Sequence, residues 1–242
     1  MSNQCSDLFK IVKIVEEQSS KNLPCFNLEL IKSYLNKNMY IRRVKKDGSI
    51  AYNSDRVEYV QYVIFGTYFT YRIAENGKRN LLSTVNKPQW VGLDKALDAE
   101  HANITESKVL TECIVLDIRV SYLKKCLEDD NEFTMYIIKN LLTKMSRISA
   151  KTNRMVFNDA KENLAFYILE YWNTNYRNSD FCEIKIENFY IAEEIGITIR
   201  TLYRAINELK KEGMLNVRNG NILVSGQQIQ TIREKYPDFC RR

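Results

Sequence analysis

Thr198, Arg200, Thr201 and Arg204 place two guanidiniums and two hydroxyls within roughly two turns of one helical stretch. An arginine can bond bidentately to guanine O6 and N7, which discriminates against other bases by roughly 1–3 kcal/mol. Hydroxyls at the start of such a helix suit phosphate oxygens, which position a protein without reading sequence. Ile199, Tyr203 and Asn207 share the outward face, and Arg218 follows on a short hairpin. This is the chemistry of a helix laid in the major groove of double-stranded DNA. The competing reading is that Arg200 and Arg204 are ordinary solvated cations on an exposed face. The surrounding elements decide between them.

Those elements come in a telling order. Residues 182–186, CEIKI, alternate and are rich in isoleucine, which predicts a short strand. From Glu187 to Ile195, apolar Phe189, Ile191, Ala192 and Ile195 fall at helical spacing, and Gly196 stands where a helix stops. Thr198 then caps a second helix whose inward residues are Leu202, Ala205, Ile206 and Leu209. Lys210 and Lys211 suit its C-terminal end and Gly213 closes it. Asn219-Gly220 lies between two apolar runs, 214–217 and 222–224, and is a strong two-residue hairpin signal. Strand, helix, turn, capped helix and hairpin together spell a winged helix-turn-helix.

The rest of the composition excludes more than it assigns. The chain has 242 residues, so one or two domains with sizeable cores are expected. A net charge of +6 is compatible with a nucleic-acid partner but is too ordinary to argue for one. Its single histidine, His101, leaves no ligand set for a metal and no partner for Cys/His catalysis. Neither a phosphate-binding glycine loop nor a G-x-S-x-G elbow occurs, so no enzyme, metal or cofactor is expected. The six cysteines are scattered without C-x-x-C spacing. With no apolar run long enough for a membrane and no export signal, they point to free thiols in a cytoplasmic protein.

The N-terminal half has a different rhythm. Helical patterns near 8–17 and 28–35 give way to strands rich in Tyr, Val and Ile: MYIRRVKK, SIAYN, YVQYVIFGTYFTYRI, KRNLLSTV and ECIVLDI. Turn signals separate them at Asp47-Gly48, at 53–55 and at Asn76-Gly77, which predicts an antiparallel sandwich or small barrel. A long helix follows from about Asn131 to Met155. In it Ile138, Met145 and Thr152 recur every seven residues, as do Leu141, Ile148 and Met155, forming the a and d positions of a coiled-coil seam. Lys144, Arg147, Lys151 and Arg154 form a basic stripe beside it. A parallel homodimer through this seam would present two reading helices to the half-sites of a palindrome. The expected division is a sensor over 1–130, a dimerisation helix over 131–157 and a DNA-binding domain over 158–242, an α+β fold class.

This arrangement resembles the Crp/Fnr family of bacterial transcription regulators over nearly the whole chain, and looks most like the virulence-regulator (PrfA-like) branch of Firmicutes. Gly196, Thr198, Thr201, Arg204, Leu209 and Gly213 fall on the family's usual helix-turn-helix positions. KKDGSIAYNSD and WVGLDKAL resemble its sensor strand and its phosphate cassette. The resemblance implies a cyclic-nucleotide-binding-like β-roll and RNA polymerase as a candidate partner. It does not imply cyclic AMP. Gly92-Leu93-Asp94 replaces the family's Gly-Glu-Leu, and Glu106-Ser107 stands near its Arg-Ser, so a carboxylate would face the phosphate. A four-cysteine cluster lacks its N-terminal ligands. An unidentified small effector, a thiol or peptide such as glutathione among the candidates, would be lined by Tyr62, Tyr68, Tyr71 and Cys126, unless these simply build the core. Ile199-Arg200 replaces the usual Arg-Glu pair, so the operator should differ from the family's best-known palindrome. Two alternatives stay open: a redox switch acting through Cys113 or Cys126, and a winged helix serving protein contacts or replication initiation.

Overall fold

Alternation in the N-terminal half produces two small antiparallel sheets, seen in a computed structural model that describes residues 3–21, 25–51, 58–73, 79–97, 105–175 and 180–237. The elements run α1 (Asn3–Ser20), α2 (Glu29–Lys32), β1 (Met39–Val44), β2 (Tyr59–Phe65), β3 (Tyr68–Ile73), β4 (Arg79–Val85), β5 (Gln89–Val91), α3 (Leu93–Ala96), β6 (Thr105–Val109), β7 (Cys113–Arg119) and α4 (Val120–Asp129). Then come α5 (Asn131–Phe157), α6 (Ala160–Asn175), β8 (Phe181–Ile184), α7 (Asn188–Ile195), α8 (Ile199–Lys211), β9 (Asn216–Arg218), β10 (Asn221–Ser225) and α9 (Gly226–Lys235). The chain divides into two units, Met1–Thr143 and Lys144–Arg242, with the division falling inside α5.

In the first unit the sheet β1-β7-β2-β5 uses both faces, as its strands' long buried runs require. Tyr62, Ile64, Trp90, Leu116 and Ile118 pack under Leu8, Ile11, Val12 and Val15 of α1, Leu123 of α4, and Phe133 and Ile137 of α5. The alternate residues Val63, Cys113 and Val115 join Tyr68, Val85 and Val109 of the second sheet, β4-β3-β6, in a separate core. One buried ion pair sits on this inner side. Asp117, wholly buried, accepts from Arg42 Nε at 2.8 Å, and Arg42 also donates to the Ile50 carbonyl at 2.6 Å.

Two strand expectations need correction. YVQYVIFGTYFTYRI is not one strand but β2 and β3, which belong to different sheets. The break is at Gly66, whose φ is +108° and whose missing Cβ would lie 2.5 Å from Cys113 Sγ and 2.6 Å from the Glu112 carbonyl. Ser49–Ala51 of SIAYN is not a strand either, because its backbone bonds to side chains: Ile50 N–H donates to Ser107 Oγ at 2.8 Å. The turns at 53–55 and Asn76-Gly77, together with His101 and Cys240, lie outside the described residues.

The second unit follows its sequence closely. β8 pairs with β10 and β10 with β9. Asn219 at φ +50° and Gly220 at φ +82° supply the paired left-handed conformations that a two-residue hairpin demands. α6 and α9 are elements that the sequence reading does not place. Leu164 through Leu169 are all buried, so α6 is apolar on every side and shows no stripe. α9 starts with a reciprocal capping box between Ser225 and Gln228.

Candidate nucleic-acid interface and its supporting elements

Local backbone chemistry builds the candidate reading helix. Gly196, left-handed at φ +75°, ends α7 and lets Ile197 N–H donate back to the Ala192 carbonyl at 3.0 Å. Thr198 then takes extended dihedrals and caps α8, its Oγ1 accepting from Thr201 N–H at 3.1 Å. The two threonine hydroxyl oxygens also lie 2.8 Å apart, so part of their bonding capacity serves the cap. Leu202, Ala205, Ile206 and Leu209 are buried, as expected, and Ile199, Arg200, Tyr203, Arg204 and Asn207 are exposed. Thr198 is exposed and Thr201 half-buried on the rim. Arg218 stands on β9, a strand exposed along its whole length.

An ion cluster anchors the far end of α8. Glu212 accepts from Lys161 of α6 at 3.0 Å and from Lys235 of α9 at 2.6 Å. The lysine hydrogen bonds, Lys235 first, hold the Glu212 carboxyl below its usual range. Gln228 Nε2 donates to the Gly213 carbonyl at 3.1 Å and closes the same corner.

The candidate dimer helix carries an exposed apolar edge. Ile138, Met145 and Thr152 are exposed. Leu141 instead packs half-buried on the first unit's core, whereas Leu142 is 56% exposed. Exposed residues at alternating three and four spacing are Met135, Ile138, Leu142, Met145, Ser149, Thr152 and Val156. Ile148 and Met155 of the second series are exposed. Met155, 40% exposed, places its Cε 3.2 Å from where a Cβ on Gly196 would lie.

The basic stripe of α5 is likewise divided in two. Lys144 and Arg147 are exposed. Arg154 instead stacks on the Phe166 ring of α6, 3.5 Å from its centroid. Lys151 is half-buried, and desolvation lowers its pKa, with Glu194 and Glu170 opposing that shift. The end of α5 is thus fastened to α6 and to the turn that starts α8.

The four expected effector-lining residues do not gather around one space. Tyr62 and Cys126 belong to the core beneath α1 and α5, and Tyr68 to the core between the sheets. Tyr71 lies on β3 with its ring 5.9 Å from that of Phe69. Sequence reasoning misses a constellation around Tyr62. Its ring lies 4.8 Å from Trp90, which lies 6.1 Å from Phe133 of α5. Tyr136, one turn further along α5, donates from its hydroxyl to Glu16 Oε1 of α1 at 2.5 Å. The Tyr62 hydroxyl and the Trp90 indole N–H are buried with no well-formed hydrogen bond. Burial pushes the Tyr136 phenol up, and Trp90 and Tyr62 partly offset that shift. The i, i+3 pair Phe133 and Tyr136 on a helix start is the available signal.

Cys113 and Cys126 are wholly buried, and burial pushes the Cys113 thiol up to about 12. Ser107, near the position of the family's Arg-Ser pair, is used internally by the Ile50 amide. No helix among the described residues is long and apolar enough to cross a membrane.

No protein-family model matches the chain. Among curated proteins it is 18% identical over 189 residues to the cAMP-activated global transcriptional regulator CRP of Salmonella typhimurium, covering 77% of this chain and 90% of that one. Among solved structures it superposes on FixK2 from Bradyrhizobium japonicum with a TM-score of 0.66 and 18% identity, covering 81% of this chain and 96% of that one. A CRP/FNR-family transcriptional regulator from Thermus thermophilus gives 0.65 and 18%, covering 81% and 97%. The fold is therefore that of Crp/Fnr regulators: an antiparallel roll of the cyclic-nucleotide-binding type, a long helix and a winged helix-turn-helix. The Salmonella and Thermus proteins are transcription regulators, not enzymes.

Proposed function

We propose that this chain is a sequence-specific, DNA-binding transcription regulator of the Crp/Fnr type, acting in the cytoplasm as a homodimer on an inverted-repeat operator. One observation carries the reading: α8 is capped at Thr198, buried along one side, and displays Arg200 and Arg204 on the other, with the Asn219-Gly220 wing beside it in sequence. Arg200 and Arg204 read bases, while Thr198, Thr201 and the wing residue Arg218 hold the backbone. The exposed apolar edge of α5 supports a parallel two-fold pairing, which sets two reading helices one helical turn of DNA apart.

Control comes from a small effector other than cyclic AMP, consistent with a PrfA-like branch. Gly92-Leu93-Asp94 at the start of α3 offers no glutamate where the family's binders have one. The buried Tyr62 hydroxyl and Trp90 N–H, grouped with the Tyr136 phenol under α5, are the groups such an effector would engage. It would act by binding two arrangements of the dimer with different affinities. A polymerase contact belongs to the same proposal.

Selection of random duplex DNA on the purified protein, with and without reductant, tests this. Enrichment of an inverted repeat with half-sites about 34–36 Å apart supports the dimeric reader. Residual binding that ignores salt would point instead to protein contacts, since phosphate contacts release counterions.

A further inference from the structure

The exposed face of α8 is not uniform. Each residue turns the helix by about 100°, which groups its outward side chains into three strips. Arg200, Arg204 and Asn207 run along the middle, opposite the buried Leu202, Ala205 and Leu209. Thr201 and Glu208 lie on one flank. On the other flank Ile199 and Tyr203 stand four residues apart, one above the other on the same side of the helix, with Lys210 two turns further on. Ile199 and Tyr203 are 37% and 51% exposed, large apolar side chains left open beside two guanidiniums.

Isolated exposed apolar residues need no explanation. A neighbouring pair at the leading end of a reading helix is different, because the first turns are those that meet base edges. An isoleucine has nothing to offer a phosphate, a guanine O6 or a cytosine amine. The major groove holds one apolar group that it can meet, the C5-methyl of thymine.

We propose that Ile199 and Tyr203 form a thymine-reading wall, so that each operator half-site places a thymine methyl beside the guanine bound by the arginine strip. This inference rests on the DNA-reading function proposed above and names the sequence class that function selects. It also explains how a helix with isoleucine where the family's pattern has arginine can still discriminate between bases: an apolar contact takes over from a polar one.

The experiment uses the full chain and the half-site obtained by selection. Each thymine is replaced in turn by deoxyuridine, symmetrically in both half-sites, which deletes the methyl and nothing else. Binding is measured for the wild type, Ile199→Ala and Tyr203→Ala, with thermal unfolding to verify that each variant folds. At one or two thymines the wild type should lose roughly tenfold in affinity, the effect of two buried methyl groups. Ile199→Ala should be weaker on the thymine operator and indifferent to uracil at the position it reads. Uracil that is neutral at every thymine, or equally harmful to the wild type and both variants, overturns the thymine wall while leaving the regulator intact. Failure to enrich any sequence overturns the regulator and the wall together.

Discussion

Two sets of polar groups, one in each unit, face opposite ways. In the roll they are turned inward: Asp117 is wholly buried against Arg42, and the hydroxyls of Tyr62 and Tyr68 lie in apolar surroundings that push their pKa values up. In the winged unit they are turned outward, with Arg200, Arg204 and Asn207 open on a helix whose inner side is wholly apolar. An outward strip depends on a cap and a turn, both local. An inward one depends on strands brought together from distant parts of the chain. Substitutions should therefore damage folding in the roll and binding in the winged unit.

Two glycines put this most sharply. Gly66→Ala should destabilise the roll by about 3–4 kcal/mol, because a new Cβ meets backbone atoms of Glu112 and Cys113 at a left-handed φ. Gly196→Ala should cost only about 1–2 kcal/mol, since the obstacle is the flexible end of Met155. Urea unfolding of both variants checks the ratio, and equal losses would break the contrast. Next in size, Asp117→Ala removes the carboxylate that accepts from Arg42 and should cost about 3 kcal/mol on the same assay while leaving operator preference unaltered in the folded fraction.

The α5 register can be sharpened with adjacent leucines. Leu142→Glu should yield a stable monomer by sedimentation and weaken operator binding by about a hundredfold, as expected when a charge enters a seam. Leu141→Glu should instead lower folding stability by about 2 kcal/mol, because that side chain packs on its own core. The reverse pattern would support the Leu141 series. Thr198→Ala removes the α8 cap and should cost about 1 kcal/mol. Smallest of all is Glu212→Gln, below about 1 kcal/mol for a largely solvated cluster. The Glu212 carboxyl is held down in the fold, so its contribution is complete above its unfolded pKa near ~4.3 and fades as pH falls through the lower folded value. Wild-type and variant unfolding curves should differ by the full amount at any pH above ~4.3 and converge as pH falls below it.

The same inward and outward distinction governs what the amino-acid order discloses. Gly196, Thr198 and Asn219-Gly220 act on their immediate neighbours, so the helix-turn-helix, its buried face and its wing are all readable with correct bounds to within a residue or two. Gly66 acts on Cys113, far away in sequence, so the break between β2 and β3 is invisible in an unbroken apolar run. α6 escapes because burial on all sides erases helical periodicity. β5, only three residues long, and the polar strand β6 carry too little pattern to register. In α5 the seven-residue repeat is legible, but which leucine faces inward depends on the core beneath it, and that core takes Leu141. The aromatic constellation of Tyr62, Trp90, Phe133 and Tyr136 joins four positions from three separate elements, which no local signal could assemble.

The most direct test is a competition between the selected inverted repeat and a duplex of equal composition with scrambled half-sites, run for the wild type and Arg200→Ala. The wild type should prefer the repeat by at least about a thousandfold at physiological salt. Arg200→Ala should lose preference at one base pair, at symmetric positions in the two half-sites, by roughly 1–3 kcal/mol. Equal affinity of the wild type for both duplexes, or a uniform loss in the variant with every base preference intact, would contradict α8 as the sequence reader.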